Sequence, residues 1–392
     1  MEDGIVVTGR GVVSAIGIGV KANTQALMEE KSGIKSLSHF HSNHAVPVGE
    51  IALSNVALLE YLHLPKDQRI SRTALLGLCA AKEALNEAKL ENVDSSRIGI
   101  ISSTSVGGMD LSEQFYQQYR VDSQTGNIED IRMHACEYST QFIAQKCAIT
   151  GYQSTISTAC SSSANAIMLG ARLLKLNQLD AVVVGGTDAL CKFTLNGFAS
   201  LKILDDTLCK PFDASREGLN LGEGAGYVVL QRKANVKAYY CELLGWANAN
   251  DATHQTATSE EGEGAFLSMQ RAMQKANLQA SSISYINAHG TGTPNNDSSE
   301  YRAIERVFET IPLYSSTKSF TGHTLAAAGG IEAVFACIAL EEQMVFANLN
   351  FKMGNPQLHV NPVLQTRKAR VETVLSNSFG FGGNCSTLIF KK

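Results

Sequence analysis

The sequence predicts a layered α/β fold made of two similar halves, and three observations carry the prediction. Strand-like and helix-like patterns alternate along most of the 392 residues, the arrangement in which helices cover the faces of a largely parallel sheet. The run Ala181-Val182-Val183-Val184-Gly185-Gly186 is too apolar for a strand with one wet face, so it reads as a strand buried on both. A faint internal repeat links the halves. Thr158-Ala159-Cys160 opens an aliphatic helix, and Thr321-Gly322-His323 opens another 163 residues later (323 − 160). Two such halves back to back bring both helix N-termini towards one centre.

In chain order, Ile5-Val6-Val7-Thr8-Gly9 is the opening strand, followed by an expected Gly-rich turn through Gly11 and Gly17. Residues 21–31 form a short helix that stops at Gly33. The stretch 36–50 is a loop whose His39, His41 and His44 have no acidic or thiol ligand nearby, so it is expected to be solvated rather than metal-bound. Ser71 is a candidate N-cap for an amphipathic helix over 71–88, with Leu75, Leu78, Cys79, Ala81 and Leu85 on its apolar face. A strand over 97–103 leads to Gly107-Gly108, and 110–150 is polar and helical in pieces.

Past the helix that follows Cys160 and the 181–186 strand, 196–226 is loop-rich. Its Gly218, Gly222, Gly224 and Gly226 mimic a nucleotide-binding loop, but they precede a strand (227–231) instead of following one, and that reading fails. The second half reads strand 239–249, helix 262–277, strand 283–288, helix 297–308, strand 313–315, helix 324–343, and strands 374–377 and 387–390. The division is placed between residues 240 and 241, with the cysteine in 1–240 and both histidines in 241–392.

Hydrophobic residues at 44% and charged ones at 18% describe a compact, enzyme-like chain. A formal net charge of −4 argues against a nucleic-acid partner. The nine cysteines contain no CxxC pair and mostly lie in apolar surroundings, as structural thiols in a reducing compartment do. Met1-Glu2-Asp3-Gly4 runs into the first strand without a basic region, and no apolar run reaches membrane-spanning length. A cytoplasmic protein with no signal peptide and no membrane contact is expected.

The chemistry centres on three residues. Cys160 is placed at or next to the first turn of a helix, where unpaired N–H groups and the helix dipole are expected to lower its pKa. His289, in Asn287-Ala288-His289-Gly290-Thr291-Gly292-Thr293-Pro294, and His323, in Lys318-Ser319-Phe320-Thr321-Gly322-His323, lie in small-residue loops at element junctions. Such junctions are where α/β proteins keep reactive groups.

Taken with Asn377-Ser378-Phe379-Gly380-Phe381-Gly382-Gly383 and the segment Gly218 to Gly226, these motifs stand in the order of a family. Over nearly its whole length the chain resembles the elongating β-ketoacyl-acyl carrier protein synthases of the Cys-His-His type. The resemblance implies the thiolase fold, two five-stranded α/β halves layered α-β-α-β-α, commonly as a homodimer. It implies Cys160 as acyl-accepting nucleophile and His289 and His323 as donors to an enolate oxygen. Lys318 and Glu332 would form a buried charged pair, and the backbone N–H groups of Cys160 and Phe381 a second oxyanion site. Gly380, Phe381, Gly382 and Gly383 match a gating loop that faces residues 250–256. Thr291, Thr293 and Thr256 match positions that hold a phosphopantetheine arm, and Val106 and Phe198 positions that line the acyl pocket. Substrates would arrive on the phosphopantetheine of acyl carrier protein, with no permanently bound cofactor and no metal. Lys66, Arg69 and Arg72 are candidates for docking the acidic carrier.

The chain departs from the housekeeping pattern in three places: Gly383-Asn384-Cys385-Ser386, where Thr-Asn is more usual; residues 128–138, which lack the expected prolines; and a somewhat short length. These departures suggest a branch making polyketide or aryl-polyene-like chains. Two rivals are a non-decarboxylating thiolase, with Cys385 as its only candidate second cysteine, and a non-catalytic chain-length-factor-like subunit, which would be expected to lack the nucleophile. An active subunit paired with such a factor is also consistent with the sequence.

Overall fold

The computed structural model describes residues 4–355 and 358–392; Met1, Glu2 and Asp3, read above as leading into the first strand, lie outside the described residues. Strands β1 (Ile5–Ser14), β2 (Ile98–Ser103), β3 (Gln153–Ile156), β4 (Ala181–Asp188) and β5 (Gly224–Arg232) make the first half. Strands β6 (Cys241–Asn250), β7 (Tyr285–Asn287), β8 (Leu313–Ser315), β9 (Thr373–Gly380) and β10 (Asn384–Lys391) make the second. Their spatial order is β8-β7-β9-β10-β6-β1-β5-β4-β2-β3. Counted from its own first strand, each half reads 3-2-4-5-1. In both halves strands 3, 2, 4 and 1 run parallel, and strand 5 is antiparallel to its neighbours 4 and 1. The two edges meet where Val6 pairs with Glu242 and Val7 with Cys241.

The helices longer than four residues are α1 (Val20–Met28), α2 (Asn55–Tyr61), α3 (Arg72–Ala88), α4 (Met109–Val121), α5 (Ile128–Arg132), α6 (Cys136–Lys146), α7 (Ser162–Lys175), α8 (Lys192–Ser200), α9 (Glu263–Ala276), α10 (Pro294–Val307) and α11 (Ala328–Glu342), among the described residues. Helix α11 is buried on every side from Ala328 to Leu340, as a helix that is apolar all round must be. It packs against α7 between the two halves of the sheet, touching β5 and β9. Helix α3 covers β1 and β5 from outside, and α9, backed by α10, covers β6 and β10. The result is an α-β-α-β-α stack. No helix among the described residues is long and apolar enough to cross a membrane.

Ser71 caps α3 as expected, its hydroxyl accepting from the Ala74 N–H at 3.3 Å. The expected turn after Gly9 is absent: β1 runs on through Gly11 to Ser14. A Cβ at Gly9 would lie 2.0 Å from the Ala84 carbonyl oxygen, and one at Gly11 1.9 Å from that of Ala80. These glycines let α3 press onto the strand, so a signal read as a turn is one of close approach. Strand β3 and helices α2 and α8 lie where the sequence predicts no regular element, α8 partly within the loop-rich 196–226. Residues 110–150 break into α4, α5 and α6. In the second half a 3-10 turn, Leu325–Ala327, precedes α11, which begins at 328 instead of 324.

Candidate active site

Both turns that open the central helices carry a residue of positive φ just before the one that matters: Ala159 at 51° and Gly322 at 71°, placed 163 apart (322 − 159). Alanine, with no branch at Cβ, is among the side chains that tolerate this conformation at modest cost. The two turns aim Cys160 and His323 at each other across the seam, with Sγ 3.0 Å from Nε2. The glycine-rich stretch before β5 braces the second turn. His323 donates its backbone N–H to the Asn220 carbonyl at 2.7 Å, and Gly222 donates to the His323 carbonyl at 2.9 Å. A Cβ on Gly222 would lie 2.2 Å from the Thr321 carbonyl oxygen.

The protonation state follows from local contacts. The backbone N–H of Leu325 donates to Nδ1 of His323 at 3.3 Å. That leaves the ring proton of a neutral imidazole on Nε2, facing the sulfur. Burial holds both His289 and His323 well below the ordinary histidine range. The positive charge of Lys318 adds to this at each ring, as does His323 for His289. Cys160 differs from expectation. Burial pushes its thiol up to about 12, against the downward pull of the Lys318 charge and the Phe381 N–H. It stands ahead of Ser161, the N-cap of α7, and is only 6% exposed, so desolvation outweighs the helix end. The resting pair is a neutral thiol against a neutral imidazole.

Lys318 and Glu332 form an ion pair with each residue 2% exposed. Burial raises the Glu332 carboxyl to about 7 even with the ammonium opposing it. His289 meets His323 edge to face with ring centroids 5.4 Å apart, and Phe379 at 5.6 Å. Its loop hangs from two carboxylates of α10 that the sequence reading did not single out. Glu300 accepts the N–H groups of His289 and Gly290 at 2.8 Å each, and the Asn377 amide at 3.1 Å. Asp297 accepts the N–H groups of Phe212 at 2.7 Å and Gly292 at 3.1 Å. Two acids three apart, on the first turns of a helix just after a glycine-threonine loop, were the available signal. A third acid, Asp188, ends the otherwise apolar β4. It accepts from Ser105 and Val106 on one side and from Ala326, near His323, on the other.

Cys160, His289 and His323 line one cavity, together with Thr256, Thr291, Thr293, Phe198 and the loop 380–383. The hydroxyls of Thr291 and Thr293 are 2.9 Å apart. Phe381 stacks on Phe198 with ring centroids at 5.9 Å. Gly382 and Gly383 are left-handed at φ 80° and 79°, and Gly382 donates to the Gln255 carbonyl at 2.7 Å. Asp251 donates its N–H to the Gly383 carbonyl at 2.7 Å, so the two facing loops are tied together. Val106 is not part of the lining; it packs with Leu190, Leu195, Leu219 and Leu325. Cys385 lies outside the lining too, 1% exposed and turned towards Gly264 of α9. The thiolase alternative thereby loses its second cysteine.

Of the basic residues considered for docking, Arg72 is buried. Its guanidinium donates to Glu223 at 2.8 and 2.6 Å and presents nothing to a partner. Arg69 clasps the buried Asp130 of α5, and Lys66 remains exposed beside Glu60. The divergent 128–138 segment lies tightly on Gly107-Gly108. Cβ atoms there would come within 2.5 Å of the His134 carbonyl and 2.1 Å of the Met133 carbonyl. His39 bonds the Ile51 carbonyl oxygen and His44 the Asn196 side chain. Among the described residues no group of three His, Cys, Asp or Glu is placed to hold a metal.

Comparison with known proteins identifies the family. Family models described as the beta-ketoacyl synthase N-terminal and C-terminal domains match residues 2–235 and 240–352. The 3-oxoacyl-[acyl-carrier-protein] synthase 2 of Synechocystis is 34% identical, the match covering 99% of this chain and 98% of the relative. That of Vibrio harveyi is 31% identical with the same coverage. A ketosynthase in complex with its chain length factor from Xenorhabdus doucetiae has a TM-score of 0.87 at 32% identity, covering 99% of this chain and 98% of that one. The ishigamide ketosynthase/chain length factor gives 0.94 at 26%, covering all of both. A chain matched by both domain models, with relatives of this identity over nearly its full length and the same fold, is a condensing acyltransferase and belongs to the beta-ketoacyl synthase family.

Proposed function

We propose that Cys160 accepts an acyl chain from an acyl carrier protein and passes it to a carbanion made by decarboxylating a malonyl carrier. The observation that carries the proposal is the 3.0 Å contact between Cys160 Sγ and His323 Nε2, with His289 facing the same cavity. In loading, the sulfur attacks the thioester carbonyl. The oxyanion faces the N–H groups of Cys160 and Phe381, and the thiol proton ends on the departing pantetheine sulfur. In condensation, malonyl loses CO2 and its electron pair becomes an enolate. Neutral His289 and His323 donate N–H bonds to the enolate oxygen, the step that desolvated imidazoles suit. The enolate carbon attacks the Cys160 thioester, the Cys160 thiolate leaves, and one proton from solvent restores the thiol.

Lys318 favours this chemistry by keeping both rings uncharged. Thr291, Thr293 and Thr256 suit a phosphopantetheine arm, and Phe381 a gate. Phe198 supports an apolar acyl path; Val106 is better placed to shape it from behind Leu325. The boundary at 240/241 fits the restart of the strand order at β6.

A specialised polyketide or polyene-like product is our reading, supported by the likeness to ketosynthase/chain length factor structures. A dimer, with a chain-length-factor-like subunit as partner, fits the exposed Tyr116, Val121, Ile128 and Ile131 on and around α4 and α5. Nine unpaired cysteines accord with a cytoplasmic setting. The test is intact-mass analysis after incubation with carriers bearing short aliphatic, long aliphatic or polyene chains. The wild-type chain is expected to gain one acyl mass, and Cys160→Ala none. An acyl gain on the alanine variant refutes the assignment.

A further inference from the structure

The loop that closes the cavity is the tip of a hairpin, and its base rests on the nucleophile's turn. Gly380 and Asn384 face each other as a register pair of β9 and β10, with only Phe381–Gly383 beyond them. On the Gly380 side, a Cβ would lie 2.8 Å from the Thr158 carbonyl and 3.1 Å from the Cys160 nitrogen. On the other side, Asn384 Oδ1 is approached by Asn165 Nδ2 at 2.9 Å, Asn248 Nδ2 at 2.7 Å and Ser161 Oγ at 2.8 Å. Asn165 sits in the first turns of α7, Asn248 on β6, and Ser161 next to Cys160. Three side-chain amides from three elements thus meet beneath the nucleophile, at a position where the chain departs from the more usual threonine.

The bonding capacity of these groups makes the link specific. An amide oxygen has two lone pairs, and three donors converge on this one, so the Ser161 hydroxyl competes for it with the two amides. Ser161 has a single proton and also lies 2.7 Å from the Thr158 carbonyl oxygen, so that proton is shared between the nucleophile's turn and the hairpin base. Asn165 in turn holds the Thr158 hydroxyl at 2.9 Å. Any movement of Asn384 is therefore felt by the residues on either side of Cys160. Gly382 and Gly383 lie beyond this anchor, in the left-handed region where a hinge meets least resistance.

Building on the acyl-transfer reading above, we propose that Asn384 is a positioning residue that pins the base of the gate hairpin to the nucleophile's turn. Gate motion is thereby confined to Phe381–Gly383, and the Phe381 N–H stays aimed at Cys160. The test compares Asn384→Ala and Asn384→Asp with wild type in three reactions. These are single-turnover acyl transfer from octanoyl-loaded carrier protein, alkylation of Cys160 by iodoacetamide, and decarboxylation of malonyl carrier protein. Removing the acceptor is expected to slow acyl transfer about tenfold and speed alkylation severalfold, while decarboxylation, which relies on the histidines, stays within about twofold. Asn384→Asp keeps the acceptor oxygen and is expected to restore both altered rates. Wild-type rates in Asn384→Ala overturn the proposal. So does parallel slowing of all three reactions with a lower Tm, or an aspartate variant that behaves like alanine. If the wild-type chain takes no octanoyl group at Cys160, the underlying acyl-transfer reading fails instead.

Discussion

Glu332→Gln keeps the shape of the buried pair and removes one of its charges. The Lys318 ammonium, in a residue 2% exposed, is then left without a counter-charge in a site too dry to solvate it. Breaking such a pair from one side costs about 3–5 kcal/mol. With an unfolding entropy of about 2.1 cal/mol/K per residue, a chain of 392 residues loses roughly 0.8 kcal/mol per degree near its midpoint. The expected fall in Tm is therefore about 4–6 °C by scanning calorimetry. Lys318→Met, which strands the carboxylate instead, is expected to fall by a similar amount. The double variant Lys318→Met/Glu332→Leu is expected to recover most of that Tm, because apolar replacement of a buried pair is close to neutral. It should not recover condensation, because Lys318 helps hold His289 and His323 uncharged. Single variants within a degree of wild type, or a double variant no more stable than either, would refute the account of the pair.

Three other outcomes are expected. His289 and His323 resist protonation when folded, so the stability they contribute is present above pH 6.5 and lost as pH falls below it. Glu300, raised to about 7 from 4.5 by burial, contributes stability below 4.5 that is lost as pH rises through 7. Between pH 6.5 and 8 the Glu300 carboxyl is still titrating, so Tm should decline there and Glu300→Gln should flatten the slope. Arg72→Met, which leaves Glu223 buried alone, is expected to lose about 3–5 kcal/mol in denaturant unfolding without raising the KM for carrier protein. Gly383→Ala forces a Cβ to within 2.0 Å of the Asp251 carbonyl at a left-handed residue. At least a roughly tenfold loss of kcat/KM is expected for it, with the far-ultraviolet circular dichroism unchanged.

The repeat between Cys160 and His323 was legible because each copy is a run of adjacent residues, and so was the apolar run 181–186 of β4. What escaped were properties that only packing creates. Gly9 and Gly11 signal a turn in isolation, and the third dimension makes them the floor beneath α3. Arg72 belongs by sequence to a basic cluster, yet it lies opposite Glu223, 151 residues away (223 − 72), and is consumed in the interior. Glu300 and Asp297 looked like ordinary helix acids until the loop they carry folded back over them. The thiol's pKa was misjudged for the same reason. Proximity to a helix end is a local property, whereas the water excluded from Cys160 depends on the whole second half.

The distance between sulfur and imidazole is not held by either loop. It is set where α7 and α11 cross, because the turn that carries each residue leads into a separate helix from a separate half. At that crossing a Cβ on Gly329 would lie 3.1 Å from the Ala164 nitrogen and 2.7 Å from the Ser378 hydroxyl, and Gly330 donates its N–H to Ser163 at 2.8 Å. A single methyl group at 329 would act as a shim driven between two machined faces, spreading the gap it was meant to fill. The tolerance of the catalytic step is therefore written in a residue that never meets a substrate, and changes in rate can begin a full helix turn from the chemistry.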